Sequence, residues 1–333
     1  MQLTILNAAD VSRALSHADC VKLLHSTMVS VSAGRAVLPL RQTTAIPETK
    51  GKLVLMPGYL DPGTGLNDRS FGVKIVSKFP REKNDPNGTH VGMVALFDAN
   101  VGLPVALMDG GRLTAIRTAS ASALATDALA RKDATTALFI GHGEEAEHHL
   151  HALRAVRPVK KLMVWGRSQQ RAAAFIDKMQ PQAADIEMSV TQDIAEASAA
   201  ADIICTLTSA ADPVFKGEWL TSGTHINMVG AAIPTSAEVD GETVKRSRWY
   251  TDYKPSLDAQ GGEWINAKAA GIVDDSHLLG EIGAVLAGDA PGRQSDTDIT
   301  AYKSLGVTAQ DLAAAKAAFA NAKAQGLGQV VDW

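Results

Sequence analysis

LFIGHGEEAEHHL, residues 138–150, carries the reading of the fold. An apolar run, TTALFI (135–140), enters Gly141-His142-Gly143 and leaves into a helix-like stretch from Glu144 to Val156. Gly141-x-Gly143-x-x-Ala146 follows the pattern G-x-G-x-x-G/A at the junction of a strand and a helix. There the glycines allow a tight turn and close backbone approach to a pyrophosphate, and the helix start supplies amide donors and positive dipole. The competing reading is a plain strand-to-helix turn. Glu144 and Glu145 stand where a phosphate would arrive, and acids in a first turn suit the helix itself. If the turn holds a phosphate, both carboxylates are expected to point away, into solvent or toward a basic partner.

The rhythm around this turn is strand, helix, strand. KLMVW (161–165), DIICTL (202–207) and THINMVG (224–230) read as strands, and Ser168 to Met179 as a helix. Alternating elements with continuously apolar strands predict a parallel, doubly wound sheet covered on both faces. About 20 residues past the glycines an NAD site places an acid on the ribose hydroxyls. Here the chain reads Val164-Trp165-Gly166-Arg167-Ser168, with Arg171 one turn on, and no acid is present. Arg167 can fork onto a 2′-phosphate and Ser168 can donate to it at the next helix start. NADP(H) is therefore expected ahead of NAD(H); a surface arginine in a loop is the plainer alternative.

Before this region, LVLMPGYL (53–60), FGVKIVSKF (71–79) and GMVALFDA (92–99) read as strands, with Pro86, Asn87 and Gly88 marking a loop. Ala9 to Ala33 reads as a helix and residues 112–131, RLTAIRTASASALATDALAR, as a buried one. The tail from ITAYKSLG (299–306) reads as a turn followed by an Ala-rich amphipathic helix to Ala324, packing on the first domain. At 333 residues two domains are expected. A charge of −4 without acidic or basic blocks argues against nucleic acid and membrane surfaces as partners. Two distant cysteines, Cys20 and Cys205, fit a reducing cytoplasm, and neither a signal peptide nor a membrane span is read.

Several stretches, in order, then converge on one family. FGVK (71–74), GTHVGMVALFDANVGLPVALMDGGRLTAIRTASASALAT (88–126), LFIGHGEEA, VWGRS, HINMVGAAIP, GEIGAVLAG and ITAYKSLG resemble the ornithine cyclodeaminase/mu-crystallin family. The resemblance implies an α/β fold: a Rossmann-type domain, set at residues 129–301, inserted in an α+β substrate-binding and dimerisation domain made of 1–128 and 302–333. It also implies a homodimer, a nicotinamide cofactor, and chemistry at the α-carbon of an imino or amino acid. Arg41 looks like a cation for the substrate carboxylate, Lys74 like the central catalytic lysine, and Arg117 like a second carboxylate clamp. Thr118 looks like a cofactor-phosphate contact at a helix start. Ser304 is expected at the carboxamide and Gly306 to allow close approach. Thr206, Val229, Gly230 and Ala231, with Glu144 and Glu145, complete the expected cofactor set.

The residue chemistry is compatible. A lysine inside an apolar strand is costly unless paired or used, and burial lowers its pKa toward neutrality. Arg117 stands in a small-residue helix and is expected to meet an anion; a salt bridge to Asp109 is the structural alternative. Lys78 shares the face of Lys74 at period two and reads as a third substrate cation or a solvent-facing lysine. One departure matters: cyclodeaminases and alanine dehydrogenases of the family carry an acid where this chain has Ala232. Cyclodeamination needs that carboxylate for proton transfer, whereas reduction of a preformed C=N bond needs positioning, a hydride and one proton. The expectation is a reductase of a cyclic or linear α-imino acid, with cyclodeamination, oxidative deamination and a non-catalytic nucleotide binder as alternatives. Arg112 or Lys78 is the cation available for a second carboxylate.

No metal site is read. His148, His149 and His151 are taken as a solvated helix face, His225 as a core histidine, and His90 as holding a loop or touching substrate.

Overall fold

The structure is a computed structural model that describes residues 2–79 and 91–332. His90 and the Pro86-Asn87-Gly88 loop lie outside the described residues. The chain divides into two compact units, Met1–Thr118 with Gly306–Trp333, and Ala119–Leu305. The divisions between these compact units fall at 118/119 and 305/306. The first lies inside a helix, and the second follows a strand that belongs wholly to the middle unit.

The chain begins with β1 (Gln2–Leu6), α1 (Ala8–Ala14) and α2 (His17–Ser32). The single helix expected over 9–33 is thus two. Leu15 leaves the helix in extended conformation and Ser16 caps the next, its Oγ accepting from Asp19 N at 3.1 Å. Then come β2 (Ala36–Val37), β3 (Gln42–Ala45), β4 (Lys52–Leu60), β5 (Ser70–Lys78), β6 (Val91–Phe97), β7 (Pro104–Asp109) and α3 (Gly110–Leu129).

The middle unit follows: β8 (Thr136–Ile140), α4 (Glu144–Arg154), β9 (Lys161–Trp165), α5 (Gln169–Met179), β10 (Glu187–Val190), α6 (Ile194–Ala200), β11 (Ile203–Thr206) and β12 (His225–Met228). It continues with α7 (Gly241–Arg246), β13 (Arg248–Thr251), α8 (Lys254–Gln260), α9 (Gly262–Ala269), β14 (Leu278–Glu281), α10 (Ile282–Ala287) and β15 (Thr300–Lys303). Its sheet order is β10-β9-β8-β11-β12-β15-β13-β14, and every pair is parallel. Strand order reverses at β8 and β11, the crevice where such sheets bind nucleotides. The inner strands β11, β12 and β15 are buried along their whole length, as strands covered on both faces must be. Thr300–Lys303, expected as a turn, is therefore a strand between β12 and β13.

The last elements, α11 (Thr308–Gln325) and β16 (Gln329–Asp332), return to the first unit. Its sheet runs β16-β1-β7-β6-β5-β4-β2, with β3 also on β4, and is antiparallel except for β1 beside β7. Helix α11 packs on β4, β5 and β6 and against α1 and α2. Its small residues Ala314, Ala315, Ala318 and Ala322 let it lie close to the sheet and are buried. Its first turns bury Gln310 and Asp311 among them.

Candidate active site

Strand β5 holds Lys74 at its middle. It pairs along its length with β4 and over most of it with β6, placing Lys74 opposite Met56 and Val94. Burial alternates along it, so Gly72, Lys74 and Val76 share the inner face with α11 beside it. Only 3% of Lys74 is exposed. Its Nζ donates to Asp311 Oδ1 at 2.9 Å and lies 2.8 Å from Oδ2. Arg117, also buried, donates from Nε to Asp311 Oδ1 at 2.9 Å and from Nη1 to Gln310 Oε1 at 3.0 Å. Arg41 donates to Gly306 O at 3.1 Å. A Cβ on Gly306, whose φ is +75°, would stand 2.5 Å from Arg117 Nη1, so the backbone approaches the guanidinium as only glycine permits.

One buried carboxylate is shared by two buried cations. Burial, reinforced by Arg117 and Arg41 and opposed by Asp311, brings Lys74 down to about 7. Burial works against the charge on Asp311, but Arg117 and Lys74 hold it below the ordinary carboxylate value. Lys78 is half-buried and lowered by burial, then by Arg41 and Lys52. Such a cluster suits a carboxylate ligand held by forked donors and a lysine that changes protonation near neutrality. The partner of Arg117 is thus Asp311 and not Asp109, which instead accepts from Arg112 N. Thr118 does not begin a helix: it lies in the interior of α3, one turn after Thr114, whose buried hydroxyl has no hydrogen-bond partner among the described residues. Asp311 and Gln310 were missed in the sequence; the signal was a polar pair ahead of an alanine run.

In the middle unit Gly141 has φ +122°, and a Cβ there would stand 2.5 Å from Leu207 O. Gly143, which caps α4 without any side-chain hydrogen bond, has no atom within 4 Å of the position of a Cβ. An open, uncapped helix start behind a left-handed glycine is a fitting seat for a pyrophosphate. Glu144 is exposed, and Glu145 turns toward His149, with Oε2 3.7 Å from Nδ1. His149 is itself buried, between Glu145 O at 2.7 Å and Ser122 Oγ at 3.0 Å, and His148 is buried too. The solvated histidine face is thereby corrected: α4 presents that face to the interior. His225 is a core residue between Thr300 and Asn227, with burial and Arg293 holding it down to about 3.

Gly166 follows β9, with the His142 ring packed over it. Arg167 and Arg171 are exposed, and Ser168 Oγ caps α5 by accepting from Arg171 N at 3.4 Å. The groups at Thr206, Gly230 and Ala231 are engaged inside the protein. Buried Glu238 accepts from Thr206 Oγ1 (2.8 Å), Thr208 N (2.7 Å), Thr208 Oγ1 (2.8 Å), Gly230 N (2.6 Å) and Ala231 N (3.3 Å). Its own N donates to Glu263 Oε1 at 3.0 Å. Lys303 Nζ pairs with Glu263 at 2.9 Å and donates to Ala231 O at 2.6 Å. This network fixes the loop after β12, leaving Val229 buried and Gly230 exposed. Nothing local in AEVDGETV distinguishes Glu238 from a surface acid. Ser304, just after β15, carries a buried hydroxyl without a hydrogen-bond partner among the described residues.

Elsewhere on this unit a shallow depression of about 520 Å³ is lined in part by Arg246, Arg248 and His277. Those groups already meet Gly217 O, Asp298 and Val244 O. Among the described residues no cluster of His, Cys, Asp and Glu could hold a metal ion, and no helix is long and apolar enough to cross a membrane.

The model of the ornithine cyclodeaminase/mu-crystallin family matches residues 1–326. A Delta(1)-pyrroline-2-carboxylate reductase from Bacillus cereus is 31% identical over 333 residues, 99% of this chain and 100% of that protein. Among solved structures, the Delta(1)-pyrroline-2-carboxylate reductase of Thermococcus litoralis, in complex with NADH and L-proline, superposes with a TM-score of 0.92 at 32% identity over 98% of this chain and 99% of that one. A dimeric archaeal alanine dehydrogenase with bound NAD superposes with a TM-score of 0.91 at 30% identity over the whole of both chains.

Proposed function

Since the chain belongs to the ornithine cyclodeaminase/mu-crystallin family, we propose that it reduces an α-imino acid to the L-amino acid with NADH or NADPH. It is an NAD(P)-dependent oxidoreductase acting on CH–NH groups. The observation that carries this reading is the buried set of Lys74, Arg117 and Asp311 in a chain with Ala232 in place of the acid that cyclodeamination uses. Arg117 and Arg41 grip the substrate carboxylate and fix the α-carbon. Lys74, near neutrality in pKa, delivers a proton to the imine nitrogen directly or through a water it holds. Asp311 orients both cations.

A nicotinamide nucleotide, when bound, would supply the hydride that the α-carbon receives. The residues that would hold it are Gly141, Gly143 and the start of α4 at the pyrophosphate, with Ser304 at the carboxamide. Arg167 and Ser168, with Arg171 behind them, would take the 2′-phosphate, which favours NADPH. A homodimer is the proposed assembly, in keeping with the dimeric archaeal relative.

The test is nucleotide oxidation with preformed cyclic imines and with 2-oxo acids plus ammonia. Steady oxidation that depends on the imine is expected. Ammonia release from ornithine without net nucleotide turnover would identify a cyclodeaminase instead. Arg167→Ala is expected to lower kcat/KM with NADPH at least about tenfold more than with NADH; equal effects would defeat the 2′-phosphate assignment.

A further inference from the structure

Four cationic side chains of the first unit, Arg41, Lys74, Lys78 and Arg117, are electrostatically linked around one described carboxylate, Asp311. Asp311 answers Lys74 and Arg117 directly. In the proposed reduction the substrate α-carboxylate lies on Arg41 and Arg117, leaving Lys78. It is the last residue of β5 and half-buried; among the described residues its ammonium has no hydrogen-bond acceptor or carboxylate, and the charges acting on it from them, Arg41 and Lys52, are both positive. An unpaired, partly desolvated ammonium beside two like charges is unfavourable. It shares the face of Lys74, about 13 Å away along the strand, and Arg41 acts on both lysines.

We infer that the substrate carries a second carboxylate and that Lys78 receives it: the enzyme reduces an α-imino dicarboxylic acid, the α-carboxylate lying on Arg41 and Arg117 and the distal one on Lys78. The reaction is unchanged by this. The hydride goes to the α-carbon and a proton to the nitrogen, and the distal carboxylate takes no part in bond making. The inference rests on the imine-reductase reading and narrows it to one substrate class. A lysine that only extends its ammonium from a strand end into water predicts no such preference.

The experiment compares kcat/KM, at fixed NADH and at fixed NADPH, for oxaloacetate plus ammonia and 2-oxoglutarate plus ammonia against pyruvate plus ammonia and preformed pyrroline-2-carboxylate. The wild type is expected to favour a dicarboxylic substrate. Lys78→Met is expected to cut the dicarboxylic-to-monocarboxylic ratio at least about tenfold, mainly through KM, and Lys78→Arg to retain most of it. Protection of the wild type against heat in the presence of nucleotide is a second readout needing no variant: L-aspartate or L-glutamate is expected to exceed L-alanine. Preference of the wild type for monocarboxylic imines, an unchanged ratio in Lys78→Met, or equal protection overturns the inference while the reductase reading stands. Failure to reduce any imine overturns both.

Discussion

In the proposed reduction Lys74 is the proton donor, and its environment sets a pH dependence. A proton donor must be charged, and burial brings this lysine down to about 7. The rate of imine reduction is therefore expected to be highest below about pH 7 and to fall as pH rises through it, while amino-acid oxidation rises over the same window. Among the described residues Asp311 is the group that holds this pKa up. Asp311→Asn is expected to move the falling limb to lower pH and, by leaving buried cations uncompensated, to cost about 3–5 kcal/mol of stability. The pH dependence of kcat/KM and a denaturation curve measure the two effects; an unmoved limb would remove Asp311 from the proton economy. The lysine was legible because a charge inside VKIV breaks an apolar strand. Its counter-ion was not, because Asp311 lies 237 residues away and a polar pair in an alanine-rich helix reads as an exposed stripe.

At the scale of elements, the glycine turn and VWGRS were readable because strand, turn and helix start lie within a few residues and obey local stereochemistry. Where tertiary packing decided the outcome, local pattern misled. ITAYKSLG looked like a turn although its first half is a fully buried strand, since the partners of β15 are strands far off in sequence. His148 and His149 looked exposed because the spacing of an amphipathic helix does not say which face is inside. Glu238 was invisible for the same reason, yet its carboxylate ties Thr206 and Thr208 after β11 to the amides of Gly230 and Ala231 after β12. Glu238→Gln would turn an amide donor or a weaker acceptor toward those N–H groups. It is expected to cost about 1–3 kcal/mol of stability and to weaken nucleotide binding more than imine binding. Nucleotide titration and steady-state KM values check this, and equal weakening of both would count against a loop-shaping role.

Over the whole molecule, acid sensitivity has an identifiable source. His225 is fully buried and held neutral, down to about 3 from an ordinary 6.5. Between those values the unfolded chain binds a proton that the folded chain refuses, so stability falls as pH falls below about 6.5, by up to about 1.4 kcal/mol per pH unit. Urea midpoints from pH 7 to pH 4 should show this slope, and His225→Gln should flatten it; an unaltered slope would place the acid sensitivity elsewhere. The change of rhythm near residue 130 was legible in the sequence; that α3 runs unbroken past the end of the first compact unit was not, since nothing local marks position 118 within a run of small residues.

The separation of Lys74 from Asp311 also orders events at the ribosome. The strand bearing the lysine emerges early, and the entire middle unit is synthesised before α11 appears. All residues of the inserted unit are thus present while the outer one still waits, its lysine and arginine without their counter-ion. Closure of the outer unit by α11 is then a late, long-loop event, and any chain released before residue 311 has been added leaves Lys74 and Arg117 without that carboxylate.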